Sequence, residues 1–121
     1  MAYKESQVSV TLEAGQDLSA KQFFFVSVAS DGQVDPTGDG AIAIGVLQND
    51  PAAAGRAAEV AIGGLTRIEA GGTVAAGADV ASDAAGNAVT AASGDVILGT
   101  AVTGGADGEI ITIVFQPRGT A

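Results

Sequence analysis

Glycine placement is the feature that most constrains this chain. Eighteen glycines are spread along its 121 residues, and the longest stretch free of them runs from Gln16 to Asp31. A glycine in a helix interior costs about 1 kcal/mol relative to alanine. Candidate helices are therefore cut short, and none longer than about two turns is expected. The glycine-free stretch itself holds Phe23-Phe24-Phe25-Val26-Ser27-Val28, whose aromatic and β-branched residues suit a pleated surface. Between the glycines lie apolar runs of strand length, among them Ala43–Leu47 and Val60–Ile62. The spacing predicts a small, single-domain, all-β fold, a barrel or sandwich of short strands joined by glycine-rich turns. The 25 alanines alone would favour helix; the glycines overrule them.

Along the chain, residues 1–7 are polar and read as an extended N-terminal arm preceding a β-rich domain over 8–121. Val8, Val10 and Leu12 alternate with Ser9 and Thr11, the period of a strand. Phe23 to Ala29 reads as the strongest strand, with Phe23, Phe25 and Ser27 on one face and Phe24, Val26 and Val28 on the other. Asp31 to Gly40, with Pro36 and three aspartates, reads as a loop. Ala41 to Leu47 reads as a central strand, with Gly45 at a bulge or a close backbone approach. Asp50-Pro51 is a candidate helical turn stopped by Gly55. Gly63-Gly64 predicts a hairpin between Ala57–Ile62 and Leu65–Ala70. Short strands are expected at Thr73-Val74 and Asp79-Val80, and a second hairpin at Asp83–Asn87. Val96–Val102 and Ile110–Phe115 close the domain. A faint internal echo links Ile44-Gly45-Val46-Leu47, Gly55 and Val60-Ala61-Ile62 to Leu98-Gly99-Thr100-Ala101, Gly108 and Ile111-Thr112-Ile113.

The alanine-rich composition makes a thin core, since alanine buries little surface. Association with partners would add stability. Net charge is −9, from 14 acids against 5 bases, and the bases lie far apart in sequence. A nucleic-acid groove needs clustered cations, so nucleic acid is not an expected partner. No cysteine is present, which excludes disulfide staples. Met1–Glu5 has no apolar leader, and no segment approaches the length of a membrane span. Synthesis in the cytoplasm is expected, with no membrane partner.

Chemistry is sparse. Without histidine or cysteine, most nucleophile–base pairs and transition-metal sites cannot be assembled. An acid pair from Glu59, Glu69 and Glu109 is better explained by the solvent side of strands. Asp31, Asp35 and Asp39 share a loop with Gly38 and Gly40, but lack the alternate-residue spacing of an EF-hand; a solvated turn is the simpler reading. Gly72–Val80 resembles the turns of lipoyl and biotinyl carrier domains, yet no lysine follows Lys21 to be modified. No enzyme activity, cofactor or metal is expected.

One resemblance spans nearly the whole chain. It is carried by Val10-Thr11-Leu12-Glu13-Ala14-Gly15 with Leu18-Ser19, Lys21-Gln22-Phe23, and Gly45-Val46-Leu47-Gln48-Asn49-Asp50-Pro51. It continues through Glu69-Ala70-Gly71-Gly72 to Val80, Gly99-Thr100-Ala101 and Gly108-Glu109. In their order and spacing these resemble the head-decoration, or capsid cement, proteins of tailed phages. The resemblance implies a non-enzymatic protein on the capsid exterior that locks neighbouring major capsid subunits together. It also implies a small homo-oligomer, a trimer with a dimer as alternative. The contact residues expected on that basis are Ala2, Tyr3, Lys4, Glu5, Ser6 and Gln7 of the arm, together with Phe24. The rival reading is a surface or secreted β module binding carbohydrate or calcium, which would lack its usual aromatic platform because Tyr3 is the only tyrosine and tryptophan is absent.

Overall fold

A computed structural model describes residues 7–121. Nine strands form one sheet: β1 (Gln7–Ala14), β2 (Phe25–Val28), β3 (Gln33–Pro36), β4 (Gly45–Leu47), β5 (Ala57–Glu69), β6 (Asp79–Ser82), β7 (Ala88–Thr90), β8 (Gly99–Ala101) and β9 (Ile110–Phe115). No helix occurs among the described residues. The strand order is β1-β3-β2-β4-β5-β9-β8-β6-β7, and an added β1–β5 pairing bends the first half into a closed ring. Closure removes exposed strand edges.

Strand β5 is the spine. Its first half pairs with β1 (Val10↔Val60) and β4 (Leu47↔Val60), and its second half with β9 (Ile68↔Ile111). Gly63-Gly64 therefore does not make the expected hairpin. Gly64 has φ 89°, so the strand bends and changes partners without reversing. That conformation is open to glycine and strained for other residues. The second half of the sheet also closes, through a single parallel bridge between Ala70 and Ala88.

The two rings are built alike. In the N-terminal ring, β1 meets β3 in parallel (Ala14↔Val34), β2 pairs with β3 and β4, and β4 with β5. In the C-terminal ring, Ala70 meets Ala88 in parallel, β6 pairs with β7 and β8, and β8 with β9. Seven positions lining each ring correspond. Leu12, Ala14, Leu18, Val26, Val34, Leu47 and Val60 line the first ring. Their counterparts Ile68, Ala70, Val74, Val80, Ala88, Ala101 and Ile113 line the second. Backbone bonds repeat too: Leu18 N donates to Pro51 O as Val74 N does to Gly105 O, and Gly55 N donates to Ala14 O as Gly108 N does to Ala70 O. The faint echo thus belongs to a repeat of the whole ring topology, with its last part shifted by two residues: Val60 corresponds to Ile113 and not to Ile111.

The repeat explains where the strand expectations fail. Phe23 and Phe24 precede β2 and do not alternate within it. Phe23 has φ 67°, and its N–H donates to Leu47 O at 2.7 Å; Gly77, with φ 86°, donates to Ala101 O at 2.7 Å in the other ring. Phe23 therefore occupies a left-handed corner that the second ring fills with glycine. Phe24 and Phe25 are both buried, and Phe25 lies against Phe115 with ring centroids 6.1 Å apart. The expected loop at Asp31–Gly40 contains β3, whose single buried residue is Val34. Pro36 is tolerated at its end, where no ladder donor is needed. Asp50-Pro51 begins no helix; the chain turns at Ala53–Arg56, where Arg56 N donates to Ala53 O.

Three expectations hold in detail. β9 spans Ile110–Phe115. The Asp83–Asn87 turn joins β6 to β7, with Asp83 Oδ1 accepting from Ala85 N and Asn87 N. Gly45 is a close approach, because a Cβ there would collide with Ala61 O; Gly99, its counterpart, faces Val114 O in the same way. After β9 the tail folds back, pairing Thr120 with Val96 and placing Arg118 N on Ile97 O.

Candidate functional site

Of the expected contact residues, Ala2, Tyr3, Lys4, Glu5 and Ser6 lie outside the described residues. Gln7 is the first residue of β1 and pairs with Gly64. Its Nε2 donates to Leu65 O at 3.4 Å, and its Oε1 accepts from Ser9 Oγ at 3.2 Å. Gln7 therefore lies at the bend where β5 passes from one ring to the other. Phe24 is only 6% exposed, with Lys21 Nζ 4.9 Å from the centroid of its ring. That ring offers a partner little free surface; the cation above it is what a partner would meet.

The open apolar surface lies elsewhere. Ile42 is 65% exposed, Val28 48% and Ile44 40%. With Ser27 and Ala43 they line an open cavity of about 250 Å³. Ser27 Oγ is hydrogen-bonded to Thr37 Oγ1 at 2.8 Å and donates to Ile42 O at 2.7 Å. Val8, on the same sheet, is 62% exposed. Reading Ala41–Leu47 as a central strand missed this patch, because only Gly45–Leu47 is strand. The clue in the sequence was the internal echo, which aligns Ile44 with Leu98. Leu98 is covered by the other ring, and Ile44 is not.

The charged groups are dispersed. Asp31 Oδ1 accepts from Gln33 N, and Asp35 Oδ1 from Gln16 Nε2, both at 2.9 Å. Asp31 caps its own turn and Asp35 ties β3 to the Gln16 loop, and among the described residues no cluster of three or more acidic side chains is arranged to hold a metal. Glu69 Oε2 accepts from Asn87 Nδ2 at 2.8 Å, tying the end of β5 to the Asp83–Asn87 turn, while Glu109 Oε1 accepts from Ala106 N at 2.6 Å within its own turn. Arg118 Nη2 bridges Asp79 Oδ1 at 2.6 Å and Thr100 Oγ1 at 2.7 Å. Hydrogen bonds from the Ser19 side chain and backbone hold the Asp17 carboxyl below its usual range.

Comparison with known proteins agrees with this picture. The crystal structure of the head fiber gp8.5 N base in bacteriophage phi29 superposes with a TM-score of 0.71 at 19% identity, covering 96% of this chain and 98% of that one. At that identity the likeness is one of fold. No curated protein matches the chain. The family model for phage cement proteins matches residues 2–116. A match over nearly the full length, on an all-β fold shared with a phage head fiber, identifies the chain as a member of the phage cement protein family.

Proposed function

We propose that this chain binds the outer surface of a phage head and stabilises contacts between neighbouring major capsid subunits, without turnover. Membership of the phage cement family is the observation that carries this reading. The physical picture supports it. Both rings are lined largely by alanine and valine, so contact with a partner adds burial that the monomer lacks. Exposed Val8, Ile42 and Val28 supply apolar contact area. Many modest contacts repeated over a capsid lattice add up through effective concentration.

In this reading the protein acts as a small homo-oligomer, a trimer with a dimer as the alternative. It is made in the host cytoplasm and sits on the capsid exterior. The arm, Ala2 to Ser6, reaches a neighbouring subunit by adding to a sheet edge, Gln7 being held in β1. The test uses particles stripped of the protein. Heads should lose resistance to heat and low salt, regain it on adding back the full chain, and regain less with a chain lacking residues 2–6. Stripped heads that keep full resistance would sink the clamp. Equal rebinding by the truncated chain would sink the arm.

A further inference from the structure

Within one chain the N-terminal ring grips the C-terminal ring through a few specific bonds. Phe25 N donates to Gly86 O at 2.7 Å, Gly40 N to Ser82 O at 2.9 Å, and Val96 N to Gly40 O at 3.0 Å. Phe25, Ala43 and Val46 join Leu98 and Phe115 in one apolar cluster. The C-terminal ring thus presents a receiving face built on Ser82, Gly86, Val96 and Leu98. The N-terminal ring presents a delivering face built on Phe25 and Gly40.

The repeat supplies each face twice. Counterparts of the receiving residues in the N-terminal ring are Val28, Gly32, Ile42 and Ile44. The correspondence rests on shared backbone geometry. Gly32 (φ 81°) donates to Ala29 O as Gly86 (φ 96°) does to Asp83 O, and Ile44 N donates to Val26 O as Leu98 N does to Val80 O. Where Ser82 and Leu98 are fully buried, Val28, Ile42 and Ile44 are bare. Gly86 O and Val96 N are bonded across the internal junction; Gly32 O and Ile42 N make no backbone hydrogen bond among the described residues. The counterparts of Phe25 and Gly40 are Asp79 and Gly94. Thr37 N donates to Phe25 O as Ala91 N does to Asp79 O, and Gly94 has φ 90° where Gly40 has 64°. Among the described residues, one half of a junction stands open on each ring.

We propose that the Val28–Ile42–Ile44 groove receives the C-terminal ring of a second copy of this chain, in the arrangement that already joins the two rings within one chain. Ile42 N–H of one copy donates to Gly94 C=O of the next, and Gly32 C=O accepts from Asp79 N–H. The contact is head to tail, with different faces meeting, so successive copies close into a ring when the rotation permits. It is weaker than the internal junction. Asp79 replaces Phe25, although Arg118 neutralises its charge. The Gly94 N–H is already taken by Ala121 O. This inference rests on the self-association reading above and gives it a surface.

The test measures the mass of the full chain by sedimentation velocity and native mass spectrometry over a wide concentration range. The wild type should form an oligomer of its 11.7 kDa chain. Ile42→Asp with Ile44→Asp should return it to 11.7 kDa while keeping the wild-type circular dichroism spectrum. Val102→Asp, on another exposed surface, should leave the oligomer intact. A folded double variant with wild-type mass would overturn the interface while leaving self-association standing. A wild type that stays monomeric throughout would overturn both. Direction is read separately, using single cysteines in a chain that has none. Mixed Ile42→Cys and Ser93→Cys proteins should cross-link to each other with a short bismaleimide. Cross-linking of Ile42→Cys to itself would mean groove against groove and overturn the head-to-tail arrangement.

Discussion

Phe25 should be the most costly of the three consecutive phenylalanines to truncate. Its side chain is fully buried between the rings and meets Phe115 at 6.1 Å. Phe24 is buried beneath Lys21, and Phe23 is only partly buried at a strained corner. Removing a buried Phe side chain costs about 3–5 kcal/mol, combining lost transfer energy with the cavity left behind. The upper half of that range suits Phe25, because an aromatic pair is lost as well, worth about 0.5–1.5 kcal/mol. Its backbone bonds to Gly86 and Thr37 survive truncation, so the junction loosens without losing its register. Against a total stability of about 5–15 kcal/mol, the loss is large. For a domain of this size it lowers the melting temperature by roughly 10–25 °C. Thermal melts followed by circular dichroism, with Phe25→Ala, Phe24→Ala and Phe23→Ala side by side, give the ranking. A Phe25→Ala protein melting within about 3 °C of wild type, or a larger loss from Phe23→Ala, would refute the placement of Phe25 at the junction.

At Phe23 the usual order of alanine and glycine should invert. Phe23→Gly should be more stable than Phe23→Ala by about 1 kcal/mol, since a non-glycine residue pays roughly 1–2 kcal/mol in the left-handed region and glycine's extra chain entropy offsets only part of that. Alanine at Gly45 or Gly99 should cost about 1–3 kcal/mol each, because the new Cβ meets Ala61 O or Val114 O and the paired strand must shift; melts matching wild type would count against those close approaches. The Asp17 carboxyl, held low by Ser19, should titrate below 3.8 in a two-dimensional NMR series. Because its folded pKa is depressed, its contribution to stability is present above the unfolded pKa and is lost as pH falls through the folded one.

Much of this fold is legible in the sequence because local rules decide it. Glycine spacing rules out helix, and the β9 run and the Asp83–Asn87 turn read directly, since each is fixed by residues close together in the chain. What is not legible depends on partners far away. Gly63-Gly64 carries the local signature of a hairpin, yet β9, some fifty residues on, claims the second half of β5 and turns the pair into a bend. Val34 is a lone apolar residue among polar neighbours, and only pairing with β1 and β2 makes a strand of it. Phe23-Phe24-Phe25 looks like alternating strand, but the Phe23 N–H is drawn to Leu47 O and twists the backbone out of the pleat. The exposed groove is hidden for a related reason. Composition reveals that Ile42 and Ile44 are apolar, not which surface covers them.

The repeat converts that last gap into an argument. In a chain with a single ring, an exposed Ile42 would be one more scattered surface apolar residue, which needs no explanation. Here the same backbone position in the other ring is Val96, whose N–H is bonded to Gly40, and its neighbour Leu98 is sealed beneath the first ring. One sequence pattern has been placed in two environments, and the difference between them is the presence of a preceding ring. Among the described residues the N-terminal ring has none. Its glycine corner at Gly32, its Ile42 N–H, which has no backbone partner among the described residues, and its apolar side chains retain the features that accept a ring at the internal junction. A fold that ended at its own surface would have no reason to keep these features together. A fold that continues into another copy would.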